Sequence, residues 1–267
     1  ASALTRQAGS AGSVSGIATV SDVETPAGNL TVAATTVPTG LMVTGITNTN
    51  GTITATVTAA CGATLGANTV VLRVQDTGGL FTTANLTVNV TANTAPTLTY
   101  ASPQTVAFGG SLMVNPATGP TDNGTIASIV VQSQGTYTGT ISVNNGTGAV
   151  SISNATPVGV HTITIRATDN CGATTDATFQ LTVTNAAPTI TAGAAVTRQQ
   201  GSAGSTATIA TVTDDAGNGT VGVTATTVPT GITVTGITNS NGTITATVTA
   251  GCTAAVGNNT VVLTATD

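Results

Sequence analysis

Apolar and polar residues alternate along most of this chain. In Gly51–Ala59, GTITATVTA, residues Ile53, Ala55, Val57 and Ala59 fall on one side and Thr52, Thr54, Thr56 and Thr58 on the other. A period of two is that of a strand with one face buried. The same run returns at Gly242–Ala250. Asn50-Gly51 and Asn241-Gly242 stand between such runs, and Asn-Gly readily takes the left-handed pair of conformations that a two-residue hairpin needs. The stretch NNGTG from Asn144 does the same further on. Alternating runs between turn signals give about seven short strands in roughly 90 residues, the expectation for a two-sheet sandwich. No segment carries a helical period with caps.

The chain repeats itself. Thr35–Cys61 returns as Thr226–Cys252 with four changes, and Ala3–Asp22 matches Ala195–Asp214. This unit, A, closes with NTVVLRVQD (Asn68–Asp76) in one copy and NTVVLTATD (Asn259–Asp267) in the other. A middle unit, B, has a different sequence but a similar close: HTITIRATDN, then TTDATFQLTVTN, against FTTANLTVNVTAN in A. Two similar linkers, NTAPTLTY at Asn93 and NAAPTITA at Asn185, join the units, each with a proline where a strand cannot continue. The expected division is therefore residues 1–94 (A), 95–187 (B) and 188–267 (A again, lacking its last strand), in the order A–B–A.

Composition narrows the picture. Aromatics are 2% and tryptophan is absent, so cores must be built from Val, Ile, Leu and Ala. Threonine makes up about a quarter of the chain and fits a pleated surface while showing water a hydroxyl. There are four Arg, no Lys and nine acids. So few basic residues cannot neutralise phosphates, which excludes a nucleic-acid partner. No apolar run of about twenty residues is present for membrane insertion. A surface with so little charge has weak repulsion between copies and favours lateral association.

The phrase VQDTGGLFTTANLTVNV followed by NTAP has a strand ending in Asp, a Gly turn and a Thr-rich strand. It resembles the tandem immunoglobulin-like repeats, of cadherin-like or big-repeat type, of long bacterial surface proteins, adhesin stalks and extracellular filaments. The resemblance covers the whole chain, through degenerate motifs. It implies an all-β protein of three tandem immunoglobulin-like β-sandwich domains, about seven strands each, outside the cell, and no particular ligand. The core Trp and the intradomain Cys pair of antibody domains are missing.

The first A copy lacks the APTITA strand that precedes the second, and the second stops at Asp267, before a final strand. Either the chain is a window on a longer array or a neighbouring chain supplies the strand, as in donor-strand exchange. The alternating order favours the window. Copies of itself are in either case the expected partners.

Three cysteines occur. In a seven-strand sandwich the connection between the fifth and sixth strands lies at the C-terminal end, and the turn between the sixth and seventh at the N-terminal end. Cys61 belongs to the first kind of loop in A, and Cys171 to the second kind in B. In a linear array these ends meet, so a Cys61–Cys171 disulfide across the A–B junction is expected, if the Cα atoms come within about 7 Å. Cys252 repeats Cys61 and would pair with a further repeat or chain. Such a disulfide requires an oxidising, extracellular setting.

Eight of the nine acids, Asp22, Glu24, Asp76, Asp122, Asp169, Asp214, Asp215 and Asp267, fall at the N-terminal tips of the units. Calcium wants six to eight oxygens, and such tips beside a linker are candidate junction sites resembling those of cadherin-like arrays. The plainer reading is that these acids close turns through backbone N–H groups. His161 is the only histidine and aligns with Asn68 and Asn259. A lone histidine that sister units replace with Asn excludes a catalytic triad or a two-His metal site. Ten Asn-x-Ser/Thr triplets, among them Asn29, Asn50, Asn85, Asn123 and Asn218, mostly follow from the threonine content.

No enzyme is expected. The favoured function is a structural one: a segment of a repetitive extracellular filament or stalk, stapled by the disulfide. The alternative is an adhesin-type module for glycan or a partner protein, for which Tyr137 in GTYTGT, with its ring placed at a sandwich rim, is the candidate ligand contact. A threonine ice-binding face would demand a solenoid of short period, which this repeat contradicts.

Overall fold

The computed structural model describes residues 3–267, and its only helical element is a single 3-10 turn at Ala27–Asn29. The first strands are β1 (Leu4–Gln7), β2 (Ser13–Thr19), β3 (Thr31–Thr36), β4 (Leu41–Thr49), β5 (Thr52–Ala59), β6 (Gly66–Gln75) and β7 (Phe81–Thr91). They form two sheets, β1-β7-β6-β3 and β2-β5-β4. Only β1 and β7 pair in parallel; the other neighbours are antiparallel. This order is that of an immunoglobulin-like sandwich. The alternation in β5 has its expected result: Ile53, Ala55, Val57 and Ala59 are each 0% exposed. They pack with Ile17 and with Val70, Leu72, Leu86 and Val88 from the opposite sheet.

The β4–β5 hairpin turns on Asn50 (φ 49°) and Gly51 (φ 89°), the left-handed pair that matches the twist of its strands. A Cβ on Gly51 would sit 2.6 Å from the Val20 carbonyl oxygen, so no other residue fits. Asn48 braces the turn, donating to the Ala27 and Leu30 carbonyls and accepting from the Gly51 N–H.

The middle strands are β8 (Thr97–Tyr100), β9 (Gln104–Ala107), β10 (Leu112–Val114), β11 (Pro116–Thr121), β12 (Ile126–Ser133), β13 (Thr140–Val143), β14 (Val150–Ser153), β15 (Gly159–Asp169) and β16 (Thr174–Thr184). Their sheets are β11-β8, β10-β14-β13 and β12-β15-β16-β9. Pro116 has no N–H to donate, and there the chain leaves β14 and pairs with β8 instead. This core holds the chain's buried aromatics, with the Tyr100 and Phe179 rings 5.3 Å apart.

The last strands are β17 (Thr189–Ala192), β18 (Ser205–Thr213), β19 (Gly222–Thr227), β20 (Ile232–Ser240), β21 (Thr243–Ala250) and β22 (Val262–Thr266), in sheets β17-β18-β21-β20 and β19-β22. Asn241 (φ 47°) and Gly242 (φ 93°) repeat the hairpin turn. A smaller cluster, Ala210, Val212, Val221 and Ile244, is fully buried. The chain is thus all-β, folded as tandem β-sandwiches.

Candidate functional site

The sequence directs attention to the place where the first sheets meet the middle ones. Cys61, in the turn after β5, and Cys171, in the turn after β15, form a disulfide with an S–S distance of 1.99 Å and a Cα–Cα distance of 5.3 Å, across 110 residues of sequence. Gly9 lies against it. A Cβ there would stand 2.1 Å from the Cys171 Sγ, and φ is +75°, so this position requires glycine twice over.

Around the disulfide lies a net of side-chain amides. Asn170 Nδ2 donates to the Gly9 carbonyl (2.9 Å), while its Oδ1 accepts from the Thr125 N–H (3.1 Å). Asn123 Nδ2 donates to the Ala8 carbonyl (3.4 Å), and its Oδ1 accepts from the Thr94 hydroxyl (2.9 Å). Asn93 Nδ2, from the linker, donates to Asp169 Oδ2 (2.6 Å). Asp169 is buried at 2% exposure, and its other oxygen accepts the Cys171 and Ala173 N–H groups, both at 2.8 Å. Burial pushes the Asp169 carboxyl upward. The hydrogen bonds from Asn93 and from the Ala173, Cys171 and Gly172 N–H groups outweigh it, and the net direction is down from the ordinary 3.8. Sequence reasoning missed Gly9, Asn93, Asn123 and Asn170. Asn93 carried a signal, since its linker counterpart Asn185 donates likewise to Asp267 Oδ2.

Most of the other tip acids accept backbone N–H groups. Asp22 Oδ2 accepts from the Glu24 and Thr25 N–H groups, which hold its carboxyl below the usual range despite an opposing desolvation. Asp76 takes the Leu80 N–H, Asp122 that of Gly124, Asp214 that of Ala216 and Asp215 that of Ala186. Among the described residues no three His, Cys, Asp or Glu side chains come together to hold an ion. Asp122 Oδ1 and its counterpart Asp214 Oδ1 are buried without a partner. One such oxygen at a tip is far short of the six to eight that a calcium shell takes.

Tyr137 corrects the reading made for it. Its ring is not at a rim but 1% exposed in the middle core, edge-on to His161, with its hydroxyl donating to the Ser153 carbonyl (3.1 Å). The ring finds apolar partners in depth, and the hydroxyl finds a strand carbonyl to satisfy it. No ligand can reach it there. His161 is also buried, at 2%. Nε2 donates to the Pro157 carbonyl and Nδ1 pairs with the Thr136 hydroxyl, both at 2.8 Å. Asn68 makes one matching contact in the first sheets, donating to the carbonyl four residues earlier, Thr64, and a second to Gly66. The position closes the loop before the sixth strand in each case. Cys252 is an exposed free thiol.

No protein-family model and no curated protein matches the chain. Among solved structures it is similar to the titin domains I67–I69 (12% identity, 99% of this chain and 91% of that one, TM-score 0.37). It is also similar to protocadherin gamma B2 cadherin domains 3–6 (12% identity, 89% of this chain, TM-score 0.30) and to an endo-fucoidan hydrolase of glycoside hydrolase family 107 (18% identity, 89% of this chain, TM-score 0.29). The chain spans 63% of that protocadherin chain and 36% of the hydrolase. At these scores the likenesses carry no argument; the fold rests on the strand order. Among the described residues no helix is long and apolar enough to cross a membrane.

Proposed function

We propose that this chain is a structural segment of an extracellular filament or stalk. In this reading residues 1–94, 95–187 and 188–267 are three sandwich domains in A–B–A order, and the Cys61–Cys171 bond fixes the first to the second. One observation carries the proposal. A disulfide and a net of amide hydrogen bonds join loops 110 residues apart, around a glycine, Gly9, that lets the two surfaces touch. Such a joint resists bending, which a load-bearing rod needs and an independent binding module does not. Sparse charge and hydroxyl-rich faces suit packing with copies of itself. The disulfide supports an oxidising compartment.

The test is electron microscopy of native material, purified without reductant, beside small-angle scattering of the wild-type chain and Cys61→Ser. Fibres with a repeat of one or two A–B units, and a wider spread of shapes for the variant, are expected. Beaded stalks that end in a distinct head would make the chain a spacer. Identical scattering curves for the two chains would remove the staple from the proposal.

A further inference from the structure

The tripeptide Asn-Gly-Thr occurs five times in the chain, beginning at Asn50, Asn123, Asn145, Asn218 and Asn241. An asparagine before glycine is exposed to attack on its own side-chain amide, because glycine has no side chain to hinder the approach of its backbone nitrogen. The two residues that follow are the same at all five places. What tells the five apart is therefore the fold.

Four of the five glycine nitrogens are held. The Gly51 N–H donates to Asn48 Oδ1 (2.8 Å) and that of Gly124 to Asp122 Oδ2 (2.7 Å). The Gly146 N–H donates to Asn144 Oδ1 (2.9 Å) and that of Gly242 to Asn239 Oδ1 (2.8 Å). In each case the nitrogen that would attack faces a side-chain oxygen, and that bond must break before it can react. Asn218-Gly219, between β18 and β19, differs. Among the described residues nothing accepts from the Gly219 N–H, and Gly219 is exposed. Asn218 itself is held: its Oδ1 accepts from the Asp214 N–H (3.0 Å) and its carbonyl from Asn239 Nδ2 (2.8 Å). In the first sheets the carbonyl that Asn48 holds in the same way belongs to Ala27, which has no amide to lose.

We propose that Asn218 is a self-modification site, closing to a succinimide that water opens to aspartate or isoaspartate. The Gly219 nitrogen gives its proton to solvent and forms a bond to Asn218 Cγ. Charge gathers on Oδ1, where the Asp214 N–H stabilises it. The Cγ–Nδ2 bond then breaks, and the nitrogen takes a proton from water and leaves as ammonia. Water adds to either ring carbonyl and restores an open chain ending in a carboxylate. The chain and water are the only reactants. The product puts one more negative charge on a loop that already carries Asp214 and Asp215, and Asp215 holds the linker through the Ala186 N–H. The proposal does not depend on the filament reading.

The test incubates the full chain in mildly alkaline buffer, with and without urea, and follows each Asn-Gly-Thr by mass-spectrometric peptide mapping beside the ammonia released. In the folded chain Asn218 is expected to react about tenfold faster than the other four, the rate equivalent of one net hydrogen bond. In urea the five rates converge. Gly219→Ala slows the reaction at Asn218, and its methyl meets nothing closer than the Asn241 Cα at 3.9 Å, so the loop keeps its place. Asn144→Ala frees the Gly146 nitrogen and brings Asn145 up toward the rate of Asn218. Equal rates at the five sites of the folded chain overturn the proposal, and so does an Asn218 rate that Gly219→Ala leaves unchanged. If Asn145 stays slow in Asn144→Ala, the held nitrogens are not what protects the other four, and the proposal falls.

Discussion

Residues 35–61 and 226–252 differ at four positions, and the sheets around them differ by one strand. Everything local is the same in both. β4 pairs with β5 and β20 with β21 in the same register, with an irregularity at the same place. Asn239 makes the three bonds that Asn48 makes. Burial is not the same. Val57 is 0% exposed, while its counterpart Val248 is half-buried; Leu72 is 4% exposed, while Leu263 is half-buried. Turns and pairings are thus properties of a short stretch. A closed core is a property of the whole sandwich, and here it depends on a strand that joins the sequence twenty or more residues later.

The most direct way to break the comparison is to make the first sheets resemble the last. Leu86 of β7 is 0% exposed, and Leu86→Asn puts an amide with no partner in its place. The expected loss is about 3–5 kcal/mol, the scale for an unsatisfied polar group together with a core cavity. Scanning calorimetry reads it as a lowered transition of the first sheets with the others unmoved. A shift below 1 kcal/mol would mean that β7 is not what closes this core.

A gentler test compares matched truncations. Leu72→Ala is expected to cost about 2–5 kcal/mol, as for a fully buried leucine. Leu263→Ala is expected to cost about half of that, because its side chain already meets solvent and leaves a smaller cavity. Denaturant unfolding of the two variants checks the ratio. Equal costs would show that Leu263 is enclosed in solution as fully as Leu72.

These differences also mark what could be read in the chain beforehand. Strands and hairpins were legible, since a period of two and an Asn-Gly pair act over a few residues. The loops that hold Cys61 and Cys171 were legible through strand order, which places them at opposite ends of their sheets. Tyr137 was not: within GTYTGT nothing local says that the ring turns inward to His161. Nor was the amide net. Asn170 and Gly9 are 161 residues apart, and no pattern in either neighbourhood names the other. The acids could be grouped by position, but a sequence does not display the N–H donors that meet their oxygens. Pro116 was visible, and its effect, the passage from β14 to β8, was not.

The arginine anchors give a smaller contrast. Arg6 bonds the Val57, Thr5 and Ser13 carbonyls and the Ser15 hydroxyl, and Arg198 the Val248, Thr197 and Ser205 carbonyls. Hydrogen bonds from a charged group contribute about 1.5–3 kcal/mol. Beside Arg6, β1 is also held by its pairing with β7; residues 196–199 have no such second tether. Arg198→Ala is therefore expected to speed exchange at 196–200 far more than Arg6→Ala does at 4–8. Equal effects would show that strand pairing adds nothing to the anchor.

Protonation of Asp169 should give the smallest effect, and its sign is fixed by the hydrogen bonds it accepts. Its folded pKa lies below the ordinary 3.8. The carboxylate's contribution is therefore fully present above the unfolded value and is lost as pH falls through the folded one. Between about pH 5 and pH 2 the Asn93–Asp169 contact should weaken, freeing the linker at the first junction while the disulfide still holds the loops together. The measurement is exchange or NMR line position at Asn93 and Ala173 across that range, with Asp169→Asn as the control whose profile is flat. Loosening of equal size in the control would place the titrating group elsewhere. A midpoint above 3.8 would mean that burial outweighs the four donors, and that the linker asparagine is a passive neighbour of the joint.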